Sequence, residues 1–150
     1  MIDVGEVTSW FVTAFNDVEL LTGDGEAPLA GGWSEGTPNA GEFAPYLVLK
    51  QQPAITPSIG DSSMCDSTAK RLEVPYQLVA YQTTRVAADS LAAASRTVLS
   101  DMTGRYVCGD LTINADQIRV TAAQGASRDD STYPKFWSSV TNFTVIVARA

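Results

Sequence analysis

Tyr76-Gln77-Leu78-Val79-Ala80-Tyr81-Gln82, followed directly by Thr83-Thr84-Arg85-Val86-Ala87-Ala88-Asp89-Ser90-Leu91, is the stretch that decides how this chain folds. In the first half Tyr76, Leu78 and Ala80 alternate with Gln77, Val79 and Tyr81, the period-two pattern of a strand. In the second half the period lengthens: Ala87, Leu91, Ala94, Val98 and Met102 recur at three- and four-residue steps, as on one stripe of a helix. The spacing predicts a strand over 73–83 and a helix over 85–102, capped by Thr83 or Thr84 and stopped by Gly104. Pro75 lacks a backbone N–H, so it points to a strand start or an edge position.

On the N-terminal side, Pro45-Tyr46-Leu47-Val48-Leu49 is a continuous apolar run that predicts a strand buried on both faces. Further back, Val7, Phe11, Ala14, Phe15, Val18 and Leu21 form a helical stripe with Asp3 as N-cap and Glu6 three residues on, so a helix over 3–21 is expected. On the C-terminal side, 116–122 and 140–148 alternate as two more strands. The order helix, strand, strand, helix, strand, strand implies a single α+β domain over 1–150. Its expected form is a four-stranded, mainly antiparallel sheet with two helices packed on one face. Three long loops separate the elements. Residues 22–42 are rich in Gly and acid and hold Trp33, a side chain that either folds back on the domain or is buried by a partner. Residues 51–70 are rich in Pro and Ser, and 125–139 is polar with an aromatic cluster.

Charge is distributed more tellingly than its total. The 150 residues carry 10 basic and 17 acidic side chains and no histidine, a net charge of −7. No Lys or Arg precedes Lys50, so residues 1–49, with eight acids, stand at −8. The remaining 101 residues, with nine acids and ten bases, stand at +1. Scattered bases cannot displace counterions from a phosphate backbone as a cluster does, so nucleic-acid binding is not expected. The first residues have no basic segment leading an apolar one, and no apolar run reaches spanning length. Neither a signal peptide nor a membrane span is expected, and the protein reads as soluble.

Without histidine, Ser-His-Asp and Cys-His chemistry are excluded. Gly60-Asp61-Ser62 resembles an esterase nucleophile segment, but its serine has no base to activate it. Cys65 and Cys108 have neither zinc-site nor CxxC spacing. Thr22-Gly23-Asp24-Gly25-Glu26 lacks the Lys of a phosphate-binding loop. Asp24, Glu26, Asp129 and Asp130 lack EF-hand spacing. An enzyme working with paired carboxylates needs two acids on rigid elements in one cleft, whereas most acids here fall in loops or on helix surfaces. No catalytic residue, metal or cofactor is expected, and the contact-rich loops favour an interaction protein.

Several segments together resemble the tail terminator proteins of long-tailed, siphovirus-type bacteriophages. They are the N-terminal helix beginning Met1-Ile2-Asp3-Val4, then Ala44-Pro45-Tyr46-Leu47-Val48-Leu49, the strand from Tyr76 to Gln82 running straight into the Ala-rich helix Arg85 to Leu91, and the closing strand from Val140 to Val147. The likeness covers nearly the whole chain and lies in order and texture, with no short diagnostic motif. It implies a non-enzymatic virion protein of the tail neck, assembled in the host cytoplasm. Such a protein forms a ring, a homo-hexamer in the family, on the head-proximal end of the tail tube. The ring stops polymerisation of the major tail tube protein and presents a joint to the head completion, or connector, protein.

DNA passes through such a ring without specific binding. Six copies at −7 carry −42, and the acids Asp24, Glu26, Glu35 and Glu42 are expected to face the channel and repel phosphate. Arg128, Asp129, Asp130, Tyr133, Lys135, Phe136 and Trp137 are the expected contacts to tube or connector, because they combine aromatic anchors with charges that set register. The alternative for Phe136 and Trp137 is that they cover the end of the protein's own sheet. The competing readings are another neck or tail-completion ring protein and a monomeric module binding a peptide or small ligand.

Overall fold

The structure is a computed structural model and describes residues 4–33, 41–52, 71–129 and 136–149. In chain order the elements are helix α1 (Gly5–Asp17), strands β1 (Thr22–Asp24), β2 (Gly32–Trp33), β3 (Phe43–Ala44), β4 (Tyr46–Gln51) and β5 (Arg71–Gln82), helix α2 (Arg85–Asp101), and strands β6 (Arg105–Cys108) and β7 (Leu111–Asn114). A 3₁₀ turn (Ala115–Gln117) then leads to β8 (Arg119–Asp129) and β9 (Phe136–Arg149).

The expected four-stranded sheet is corrected to a mixed sheet of seven strands in the order β1-β4-β5-β9-β7-β6, with β8 also on β9, and a separate β2–β3 pair. β1 runs parallel to β4, and the other pairs in the sheet are antiparallel. β9 is long enough to hold two strands on one side: Phe136–Thr144 pairs with β8 and Val147–Arg149 with β7. Three of its strands were not expected: β1, which falls in the expected 22–42 loop, and β6 and β7, which form a tight hairpin turning at Gly109-Asp110, where Gly109 has φ 63° and the Glu6 side chain packs against it.

The sheet curls around α1, which touches the sheet near both ends. Asn16 bonds to Thr22 on β1, and the Trp10 ring lies 4.7 Å from Tyr106 on β6. Phe11 fills the hollow, with its ring 5.6 Å from Tyr76 and 5.3 Å from Phe143. On the same face Leu47 and Leu49, Val74, Leu78 and Ala80, and Val145 and Val147 are buried, joined by Phe15 of α1 and by Ala92 and Leu99 of α2. Polar side chains buried between the helices and the sheet are paired. Arg96 Nη1 donates to Thr141 Oγ1 (3.0 Å), and Thr8 Oγ1 lies 2.9 Å from Tyr76 Oη and 3.0 Å from Gln51 Oε1.

Boundaries shift where local geometry outweighs pattern. α1 stops at Asp17 rather than 21 because Glu19 turns the chain at φ 65°, and Val4 holds the N-cap position without a side-chain bond. Asp3 lies outside the described residues. α2 matches its expected start, with Thr84 Oγ1 accepting from Ala87 N (3.2 Å), but its buried line is Ala88, Ala92, Ser95 and Leu99, one residue on from the expected stripe. The small side chains let the helix approach the sheet closely, while Leu91, Val98 and Met102 wedge in from the flank. Pro75 sits in the interior strand β5, not at an edge or a start. Its carbonyl accepts from Gln52 N just past the end of β4, so its missing N–H faces a place where the ladder has already ended. The expected strand over 116–122 is a 3₁₀ turn followed by the start of β8, and the expected 125–139 loop is largely strand.

Candidate interaction surfaces

The residues expected at the tube or connector contact divide between two paired strands. Arg128 is exposed near the end of β8, opposite Trp137, and Asp129 stands opposite Phe136. Phe136 and Trp137 are half-buried at the start of β9. Asp130, Tyr133 and Lys135 lie outside the described residues. Phe136 points to the convex face, where its ring lies 5.3 Å from Phe43. Phe43 in turn packs 5.3 Å from Trp33 and 6.2 Å from Tyr46, and Tyr46 stacks 5.0 Å from Tyr81. Trp33 thus folds back on its own domain through the β2–β3 pair. Its Nε1 is buried and has no hydrogen-bond partner among the described residues. Burial beside Tyr81 raises the Tyr46 phenol above its ordinary pKa.

Of the residues expected to face a channel, Asp24, Glu26 and Glu42 are exposed around β1 and β3, and Glu35 lies outside the described residues. A shallow hollow beside α1 brings Glu6 and Asp24 near Cys108. Burial, with Glu6 adding, pushes the Cys108 thiol up to about 11, so it is an inert core group rather than a nucleophile. Burial likewise pushes Tyr76 up to about 12, against the lowering effect of its bond to Thr8. Among the described residues no group of three or more His, Cys, Asp or Glu side chains could hold a metal ion, and no helix is long and apolar enough to cross a membrane. Cys65 lies outside the described residues.

Two surfaces carry no mark in the sequence pattern. The first is an apolar groove of about 370 Å³ between the C-terminal halves of α1 and α2. It is lined by Trp10, Ala14, Val18, Val98, Met102 and Tyr106 and rimmed by Asp17 and Asp101. Both acids are the last residues of their helices, and neither helix has a base in its last turn. Each carboxylate therefore stands at the negative end of a helix dipole, where a cation is the favoured occupant. The second is β8. Among the described residues β9 is its only strand partner, and residues 119–125 are exposed on both faces of the strand.

No protein-family model matches the chain, and no curated protein matches its sequence.

Proposed function

We propose that this chain is a structural virion protein that caps the head-proximal end of a phage tail tube as a ring, a hexamer by its likeness to tail terminators. In this role it stops tube polymerisation and forms the joint to the head connector. The observation that carries the reading is the first third of the chain, which holds no base and exposes Asp24 and Glu26 beside β1 and Glu42 beside β3. Lining a channel, such a surface repels phosphate and lets a duplex slide. The half-buried Phe136 and Trp137, with Arg128 beside them, supply the contact to the tube or connector.

Electron microscopy of tails assembled with and without the protein tests this. Tubes of unbounded length in its absence, and of fixed length with a ring at one end in its presence, are the expected result. Identical length distributions would refute it. A second reading, a monomeric module that binds a peptide, is favoured by the apolar groove between α1 and α2. It predicts that the protein leaves tube length unchanged.

A further inference from the structure

We infer that copies of this chain join head to tail, the exposed strand β8 of one seating against the α1–α2 groove of the next. The inference rests on the ring-forming reading only for closure of the ring; the contact itself is argued from two surfaces of one chain. β8 is an edge strand of 11 residues without proline or lysine, and 120–127 carries no charge at all. The irregularities at 120–122 and 124–127, with Arg119, Arg128 and Asp129 at its ends, turn the β8 edge away from strand addition, so what it offers a second copy is its exposed side chains. At the β1 edge a helix supplies the cover: Asn16 Oδ1 accepts from Thr22 N (2.9 Å) and Asn16 Nδ2 donates to Thr22 O (3.3 Å), which closes β1. α2 reaches β8 through Asp89 Oδ1, which accepts from Ala126 N (2.8 Å) and pins a bulge.

The chemistry of the two surfaces is complementary. Val120 is 45% exposed, and Val86, three residues before Asp89 on the same flank of α2, is 76% exposed, so β8 is bordered by apolar surface. The groove is apolar and Val18 at its side is 51% exposed. Arg119 at the start of β8 supplies what the groove rim lacks. Its stem covers apolar surface while its guanidinium reaches Asp17 and Asp101 at the two helix C-termini. Self-pairing of two β8 strands would instead bring the arginines of both copies into one interface and leave the acidic rim unmet.

Size points the same way. Eleven residues at about 3.4 Å each make an edge about 37 Å long, and at about 10 Å wide it covers about 370 Å². That is about half of the roughly 800 Å² a stable interface buries per partner. A bare strand edge is therefore too small, and a stable contact needs Val86, the groove and the ion pairs as well. Because donor and acceptor surfaces differ, the contact repeats in one direction and closes as a ring when the rotation permits.

Sedimentation velocity on the full chain at low ionic strength, over a range of concentrations, tests the contact. Wild type is expected to form an oligomer that salt weakens. Arg119→Glu, and separately Asp17→Arg with Asp101→Arg, should each weaken association about tenfold or more. The chain carrying all three changes should regain it, because the charge pairs are restored in reverse. Unchanged association in Arg119→Glu, failure of the triple variant to recover, or a wild type that stays monomeric throughout would each overturn the inference. Tube capping is read separately. Association by this contact without an effect on tube length would break the proposed function and leave the interface standing, and capping undiminished by Arg119→Glu would do the reverse.

Discussion

Two edges of the sheet, β1 and β8, are built on opposite principles. β1 is three residues long, yet Thr22 is buried, its outward N–H and C=O are held by the Asn16 amide, and α1 lies across it. β8 is 11 residues long and exposed on both faces, with β9 as its only strand partner among the described residues. A short edge is covered and a long one left open, the reverse of what monomer stability alone requires. Strand length without burial contributes little to folding, so β8 is more intelligible as a surface kept for assembly than as part of the scaffold.

The contrast breaks most severely where α1 is detached from β1. Phe15 is fully buried in the cluster that seats α1 under the β1 side of the sheet. Phe15→Ala should destabilise the fold by about 3–5 kcal/mol, measured by denaturant unfolding, and should also expose the β1 edge. Alkali attacks the core more gradually. The folded-state pKa values of Cys108 and Tyr76 are raised, to about 11 and about 12, so the unfolded chain loses those protons first as pH climbs. Stability is therefore intact below about pH 9 and falls between there and about pH 12, on the order of 3 kcal/mol for each group. Tyr76→Phe should abolish the part of that loss above about pH 10, read as a flatter dependence of unfolding midpoint on pH.

Asn16→Ala sharpens the comparison directly, because it removes both bonds that close β1. The expected cost is about 1–2 kcal/mol, together with new concentration-dependent association from an edge that is silent in wild type. At β8 the matching change is Asp89→Ala, which frees the Ala126 N–H. Being local, it should cost about 1 kcal/mol, and Asp89→Asn should restore most of it by keeping an acceptor. Hydrogen exchange at Ala126 is the readout: faster in the alanine variant, near wild type in the asparagine one.

How much of this could be read in advance follows from which residues are buried. β5, β4 and the core of β9 were legible because Leu78, Leu49 and Phe143 face one apolar cluster and their neighbours do not. The β6–β7 hairpin was not, since four-residue strands scarcely register a period, although Gly109-Asp110 is a turn dipeptide that could have marked it. Only the start of β8, 119–122, was read as strand. Hydrophobic periodicity records the face a strand buries in its own domain, and beyond Val120 the exposed residues of β8 show none, so Gly125 and Ser127 read as loop. The α1–α2 groove was hidden because it depends on two helix ends, 84 residues apart in Asp17 and Asp101, meeting in space. The aromatic residues of the first and last loops, Trp33 and Phe136, were visible singly but not their meeting on Phe43.

The smallest expected effect on folding carries the most information about the open edge. Arg119 is exposed at the start of β8, and Glu in its place should change unfolding free energy by less than about 0.5 kcal/mol. A scaffold role for β8 predicts that nothing else follows from the substitution. An assembly role predicts a protein as stable as wild type, with the same hydrogen-exchange pattern, whose association is weakened about tenfold or more in dilute salt and indistinguishable from wild type at high salt, where the ion pair is screened. A stability change without an association change would place β8 with the closed edge and erase the difference between the two edges. The opposite outcome fixes that difference as the division between the part of the molecule that folds it and the part that joins it to the next copy.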